Sequence, residues 1–195
     1  MIIDTQLNDG LPICIREVDA GDEARLREGI AKLSSRSRYL RFFSGMREPP
    51  QHVLDALLDV DGYRHIAWGA IAVREPGQPA LGVVHAFRDE DDPSVAEFSV
   101  AVIDAHHGKG LARLLTAVLL LDCRSEGLET LDCHVLPDNE AALALARSLG
   151  GRQAGQERGV VHFEIEILAA IEALKAETDV RGLAAVFRAW DERSD

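Results

Sequence analysis

The sequence predicts a single α/β domain: a mixed, mostly antiparallel sheet with helices on both faces. Three observations carry that prediction. A chain of 195 residues, 47% hydrophobic and 28% charged, buries a sizeable core without needing disulfides or metal. Segments 65–74 and 81–87 are rich in β-formers and joined by Glu75-Pro76-Gly77-Gln78-Pro79, which reads as a hairpin. Residues 95–136 read as strand, glycine turn, long helix and strand, a βαβ unit whose two strands are parallel neighbours.

The elements follow in order. Residues 1–10 read as a short leader, and 11–18 alternates well enough for a first strand. Asp19 and Asp22 open a helix to Leu33, with Ala24, Leu26, Ile30 and Leu33 as its buried side. Within 34–43, Tyr39, Phe42 and Phe43 share one helical face and the arginines the other, so the aromatics are expected in the core. Pro49 and Pro50 start a short helix that Asp61-Gly62 ends. The acidic turn Arg88-Asp89-Glu90-Asp91-Asp92-Pro93 leads into 95–103, and from Leu111 the residues Leu114, Leu115, Val118, Leu119 and Leu121 recur at helical spacing until Gly127. Beyond the strand at 130–136, Pro137-Asp138-Asn139-Glu140 caps a helix that Gly150-Gly151 closes. Val161, Phe163, Ile165 and Ile167 alternate with His162, Glu164 and Glu166 in a last strand. Two further apolar-periodic pieces, 169–177 and 180–190, form a helical extension that either covers the sheet or makes a homodimer contact. The expected organisation is therefore a domain over 11–168 and an extension over 169–195.

A net charge of −12 disfavours nucleic acid and favours a cationic partner such as an amine. The first ten residues carry Asp4 and Asp9 and no Lys or Arg, unlike a secretion signal. The longest apolar run, 114–121, falls far short of the roughly 20 residues of a membrane span. A cytoplasmic protein without membrane association is expected. Cys14, Cys123 and Cys133 lack CxxC spacing, and Cys133 and His134 point to opposite faces of their strand. The thiols should be free and buried, with neither disulfide framework nor metal site.

The chemistry concentrates at His107-Gly108-Lys109-Gly110-Leu111-Ala112. A helix beginning beside two glycines offers unpaired N–H groups and the positive end of its dipole, with no Cβ to keep an anion away. The spacing excludes two phosphate loops. GxxxxGK[ST] is absent, and the GxG here is followed by Leu111-Ala112-Arg113 rather than completing GxGxxG. The hexamer resembles the [QR]-x-x-G-x-[GA] turn of the GNAT acyltransferases, with His107 in place of Gln or Arg. Downstream, Asn139, Ala142, Leu145, Ala146 and Gly150 fit the pattern N-x-x-A-x-x-L-[YA]-x-x-x-G that follows the fifth strand of that superfamily. On these motifs the chain resembles a GNAT domain over 11–168. Ser37-Arg38-Tyr39-Leu40-Arg41-Phe42-Phe43 and Tyr63-Arg64-His65-Ile66-Ala67 resemble the Pat-type bacterial protein lysine acetyltransferases.

The resemblance implies acetyl-CoA as co-substrate, no metal, and a sheet splayed at its two parallel strands. The backbone of Val100, Ala101 and Val102 would hold the pantetheine by strand-like hydrogen bonds. His107, Gly108, Lys109, Gly110, Leu111, Ala112 and Arg113 would hold the pyrophosphate, and Asn139 the pantetheine arm. A backbone N–H near Val100 would stabilise the oxyanion. Because a histidine is cationic only below about 6.5, a phosphate contact from His107 would weaken CoA affinity between about pH 6 and 8.

An amine acceptor is mostly protonated at neutral pH, so a base is needed. Glu97 is the only carboxylate inside its strand, and its Ala-Glu-Phe setting resembles that of the Pat-type base. A buried Glu without a cationic partner has its pKa raised toward the useful range; pairing with His85 or Arg64 across the sheet is the alternative. His134 lies five residues before Asn139, where some relatives carry a catalytic Glu; its alternative is a structural strand histidine. Ala146 stands where many relatives place a Tyr that protonates the departing thiolate, although the Pat-type proteins also lack it. Water, Tyr39 or Tyr63 would serve instead, or the thiolate leaves unassisted. The function implied is acetyl transfer to a primary amine by direct attack in a ternary complex, with a protein lysine as first choice and a small amine as second. A CoA-binding sensor without turnover is the alternative from another class.

Overall fold

All but one of the described strands bury residues in a shared core, and eight strands join into one sheet. The computed structural model describes residues 1–42 and 48–193, so Phe43 of the aromatic stripe lies outside the described residues. In chain order the elements are β1 (Ile2–Gln6), β2 (Pro12–Glu17), a 3-10 turn (Ala20–Asp22), α1 (Glu23–Lys32), α2 (Ser35–Phe42) and α3 (Gln51–Leu58). They continue as β3 (His65–Ile71), β4 (Ala80–Arg88), β5 (Val95–Val102), a second 3-10 turn (Asp104–His106) and α4 (Leu111–Ser125). Last come β6 (Thr130–Val135), α5 (Glu140–Ser148), β7 (Arg152–Glu157), β8 (Val160–Glu166), α6 (Ile167–Ala176) and α7 (Leu183–Asp191). The strand order is β1-β2-β3-β4-β5-β6-β8-β7, antiparallel throughout except for β5 beside β6. This is the mixed, mostly antiparallel sheet that the sequence predicts.

Helix α4 is buried nearly all round, because β3, β4 and β5 cover one side and α6 and α7 the other. Trp68 of β3 donates Nε1–H to Asp122 Oδ2 of α4 at 2.8 Å and meets Trp190 of α7 edge-on, with ring centroids 6.1 Å apart. The C-terminal helices thus cover α4. The core runs past both ends of the 11–168 span, from Ile3 and Leu7 to Val186 and Trp190. On the opposite face, α1 packs on β4, α2 on β5 and α3 on α1. Asp19 and Asp22 form a reciprocal capping box on the 3-10 turn that precedes α1.

Two expectations are corrected and one element is added. Residues 1–10 are not a leader: Ile2–Gln6 is β1, paired with β2 from Ile2↔Arg16 to Gln6↔Pro12. The polar stretch Arg152–Glu157 is an additional strand, β7, exposed along its whole length and held only by β8. Tyr39 is 47% exposed, since α2 lies on the rim of the domain and buries none of its residues fully.

Candidate active site

Strands β5 and β6 pair at only three positions, Val95↔Thr130, Ala96↔Leu131 and Glu97↔Asp132. Past them β5 stays with β4 as far as Val102, and β6 stays with β8 as far as Val135, so the two parallel strands part. Val100, Ala101 and Val102 are half-buried along the edge that faces the opening. A strand edge of this kind carries N–H and C=O groups that need partners.

At the carboxyl end of β5 the chain turns through His107 to Gly110 into α4. Gly108 has φ +70°, with nothing within 4 Å of where a Cβ would stand, so the approach to its backbone is open. Gly110, at φ +86°, is closely packed instead: a Cβ there would lie 2.9 Å from Val180 Cγ1. The first turn of α4 leaves its N–H groups free by helix geometry. These features fit the diphosphate of a CoA-type cofactor. The side chains of the turn play different parts from those expected. His107 donates Nε2–H to the Val102 carbonyl at 2.8 Å, which fastens the turn to the strand rather than aiming that nitrogen at a phosphate. Lys109 pairs with Asp9 at 2.9 Å and Arg113 with Glu177 at 2.8 Å, so both cations are already neutralised. Leu111 is buried in the core and offers only its backbone, and Ala112 is half-buried.

Helix α2 spans the opening. Ser34 N–H and Ser37 Oγ–H donate to the Asp104 carboxylate at 3.1 and 2.9 Å, beyond the end of β5. Arg36 donates to the Asp138 carbonyl at 3.0 Å, beyond the end of β6. Asn139 caps α5, accepting the Ala142 N–H on Oδ1 at 3.2 Å, so its side-chain amide N–H groups are what it can offer a ligand.

The register places His85 and Phe87 of β4, Glu97 and Ser99 of β5, and Asp132 and His134 of β6 on one face of the sheet, opposite α4. Glu97 is exposed, contrary to the expected burial, because α1, α2 and α3 cover the sheet only as far as β5. Neither proposed cross-sheet partner meets it: Arg64 pairs with Asp61 at 3.0 Å and His85 with His65 at 2.9 Å. His134 is also exposed, stacked on His162 with ring centroids 4.8 Å apart, and His162 Nε2 lies 3.4 Å from Asp132 Oδ1. Glu97 and His134 therefore share a face, and no hydrogen bond between described residues joins them.

Sequence reasoning missed a polar group inside the chamber. Arg41 of α2 donates Nη2–H to Ser99 Oγ at 2.8 Å; burial pulls the Arg41 guanidinium below its ordinary pKa, and the Glu97 charge works against that. His85 is 1% exposed, and burial, Arg41 and His65 hold its pKa well below 6.5. A cavity of about 50 Å³ lies between α1, α2, β4 and β5, walled by Leu26, Ile30, Phe42, His85, Ala101 and Val102. The signal that could have found the group was the alternation of β4, which puts Val83, His85 and Phe87 on one side. Cys14, Cys123 and Cys133 are free and buried as expected, with burial pushing Cys133 up to about 12.

A cleft that admits a long, phosphate-ended donor between two parted strands is the architecture of the CoA-dependent acetyltransferases. The chain belongs to the Acetyltransferase (GNAT) family, whose model matches residues 33–150. It is 28% identical over 169 residues to Acetyltransferase Pat of Mycolicibacterium smegmatis, an alignment covering 85% of this chain and 49% of that protein. The chain thus spans about half the length of that curated relative. The GNAT domain of S. lividans PAT has the same fold, with a TM-score of 0.78 at 24% identity over 85% of this chain and 96% of that one. The structure of yncA from Salmonella typhimurium, solved with its cofactor acetyl-CoA, matches with a TM-score of 0.61 at 19% identity over 80% of this chain and 94% of that one.

Proposed function

We propose that this domain transfers the acetyl group of acetyl-CoA to a primary amine, the side chain of a protein lysine, by direct attack in a ternary complex in the cytoplasm. One observation carries the reading. The strand whose backbone edge and glycine turn fit the cofactor also carries an exposed carboxylate, Glu97, whose charge reaches Arg41 on the wall of the chamber. Bound acetyl-CoA supplies an activated acyl group as a thioester. The backbone of Val100, Ala101 and Val102 binds the pantetheine arm, together with the amide of Asn139, and the N–H groups from Gly108 to Arg113 bind the diphosphate. A backbone N–H at Val100 donates to the oxygen that becomes negative during attack. Glu97 takes a proton from the acceptor ammonium, and His134, on the same face, passes it to solvent. Ala146 is buried and carries no acid, so the departing thiolate takes its proton from water.

The acceptor choice is supported by the net charge of −12 and by the Asp132 carboxylate opposite Glu97, which together suit a cationic side chain. Free-thiol release from acetyl-CoA, measured with lysine peptides and a panel of small amines, tests it. Faster turnover on peptides is expected; turnover on small amines alone sinks the lysine assignment, and binding without turnover on any acceptor favours a sensor. Glu97→Gln should lower kcat at least about tenfold at neutral pH, and unchanged turnover would remove Glu97 from the mechanism.

A further inference from the structure

Two buried histidines connect the chamber to an acidic loop, and the hydrogen bonds between them fix which nitrogens carry protons. His65 Nδ1 lies 3.0 Å from the Asp59 carbonyl. A carbonyl only accepts, so His65 Nδ1 bears the hydrogen and the neutral ring is left with an acceptor at Nε2. His65 Nε2 lies 2.9 Å from His85 Nδ1, which must then be the donor. His85 is thereby held as the Nδ1–H tautomer with a bare Nε2. Among the described residues that buried Nε2 has no hydrogen-bond partner, and the ring walls the chamber. The two nitrogens of an imidazole point in roughly opposite directions, so Nε2 is turned away from His65. His85 also sits directly across from Ser99, next to the stretch of β5 that fits the cofactor. An unpartnered buried acceptor is costly, and this one lies on the wall of a cavity beside the cofactor strand.

We propose that His85 Nε2 accepts a proton from the substrate nitrogen inside the chamber and that His65 carries the charge out toward Asp59 and Asp61. The proposal rests on the amine-acceptor reading above. A primary ammonium loses two protons in becoming an amide N–H: Glu97 takes one at the exposed rim, and His85 takes the other at the buried wall. The substrate N–H bond breaks as His85 Nε2–H forms, and His85 Nδ1–H breaks as His65 Nε2–H forms. His85 ends neutral in its other tautomer and His65 ends as an imidazolium. Burial lowers the His65 pKa, while its bond to the Asp59 carbonyl and the charges of Asp61 and Asp59 oppose that. Asp61 is a fixed anion, accepting the backbone N–H groups of Tyr63, Arg64 and His65 at 2.9, 2.7 and 3.0 Å. Among the described residues, the charged groups around His85 otherwise are Arg41 from α2 and Arg25 from α1, which wall the same chamber, the Arg16–Asp22 pair at an adjoining cavity, and Glu97 on β5. The nearby cations oppose protonation of the resting ring, which keeps Nε2 a lone pair.

Two-bond ¹H–¹⁵N correlation spectra of the histidine-labelled, ligand-free protein at pH 7 should show His85 protonated at Nδ1 and bare at Nε2. A ring protonated at Nε2 overturns the proposal. In His85→Asn the side-chain amide stands in for Nδ1–H, so the bond to His65 survives while the base is lost. With saturating acetyl-CoA, kcat should fall at least about tenfold while the acetyl-CoA dissociation constant is unchanged. His65→Gln keeps a partner for His85 but cannot carry the proton, and kcat should fall about three- to tenfold. Wild-type kcat in both variants overturns the relay, and if His85→Asn does not fold, the spectrum and His65→Gln decide. Should the wild-type protein release no thiol with any amine, the acceptor reading fails by itself, and the spectrum still supports or overturns the bare Nε2.

Discussion

At the carboxyl end of β5, the groups that suit the cofactor are backbone N–H groups, and the nearby cations Lys109 and Arg113 are occupied by Asp9 and Glu177. On the face of β5 opposite α4, the groups proposed to act are side chains from separate elements: Arg41 on α2, His85 on β4 and Glu97 on β5. The first region depends on local conformation in one short stretch of chain. The second depends on the register of neighbouring strands and on how a helix is pinned above them. Substitutions at the glycine turn should therefore act through backbone shape, and those in the chamber through charge and roof position.

The two glycines test this most severely. Gly110→Ala places a Cβ 2.9 Å from Val180 Cγ1 on a backbone with φ +86°, and should cost about 2–4 kcal/mol of stability. Gly108→Ala has φ +70° with nothing within 4 Å, so only about 1–2 kcal/mol should be lost. The Gly108 variant should nonetheless bind acetyl-CoA at least about tenfold more weakly, because its methyl occupies the open approach. Urea denaturation and calorimetric titration of both variants separate packing from cofactor access. Equal affinities for Gly108→Ala and the parent would mean that the phosphates do not approach there.

The turn that leads into α1, beside the chamber, should instead respond to acid. Burial works to raise the Asp22 carboxyl, but Arg16, the Asp19 N–H and Arg25 together hold it below its ordinary 3.8. Arg16 Nη1 reaches Asp22 Oδ2 at 2.7 Å, Arg16 Nη2 reaches Oδ1 at 2.5 Å, and Arg25 Nη1 reaches Oδ1 at 3.2 Å. Since the folded pKa lies below the unfolded one, the stabilisation is complete above 3.8 and is lost as the pH falls through the folded value. Asp22→Asn should cost about 1–3 kcal/mol at pH 7 and flatten the acid limb of the stability curve. Urea midpoints from neutral pH down to about 3 check this, and an unchanged acid limb in the Asn variant would assign the effect to other carboxylates.

The same contrast explains what the sequence made legible. The strand, glycine turn and helix from Val95 onward could be read because their signals are local: a change of hydrophobic period at residues that allow positive φ. Strand β1 was hidden because its few apolar residues are interrupted by Asp4, although the Asp9-Gly10 pair that closes its hairpin was an available turn signal. Strand β7 offers no period at all, since both of its faces are exposed. The alternation of β4 placed His85 on the chamber side, but the juxtaposition of His85 with Arg41 lay beyond reach for another reason. Their meeting depends on which residue of β4 stands opposite Ser99 and on where α2 lies over the sheet, and no spacing within one segment encodes either.

The smallest effect probes the cofactor side where it most resembles the other. Arg113 is within the first turn of α4, yet its guanidinium lies 2.8 Å from Glu177, just beyond α6. If backbone N–H groups provide most of the phosphate affinity, releasing that cation adds only a solvent-screened contact. Glu177→Gln should then tighten acetyl-CoA binding by about two- to fivefold at low salt, and the gain should disappear as ionic strength rises. Titration at two salt concentrations measures it. A gain much beyond tenfold that persists in high salt would show that the turn is limited by charge rather than by backbone shape, and the two sides of β5 would then work by the same principle.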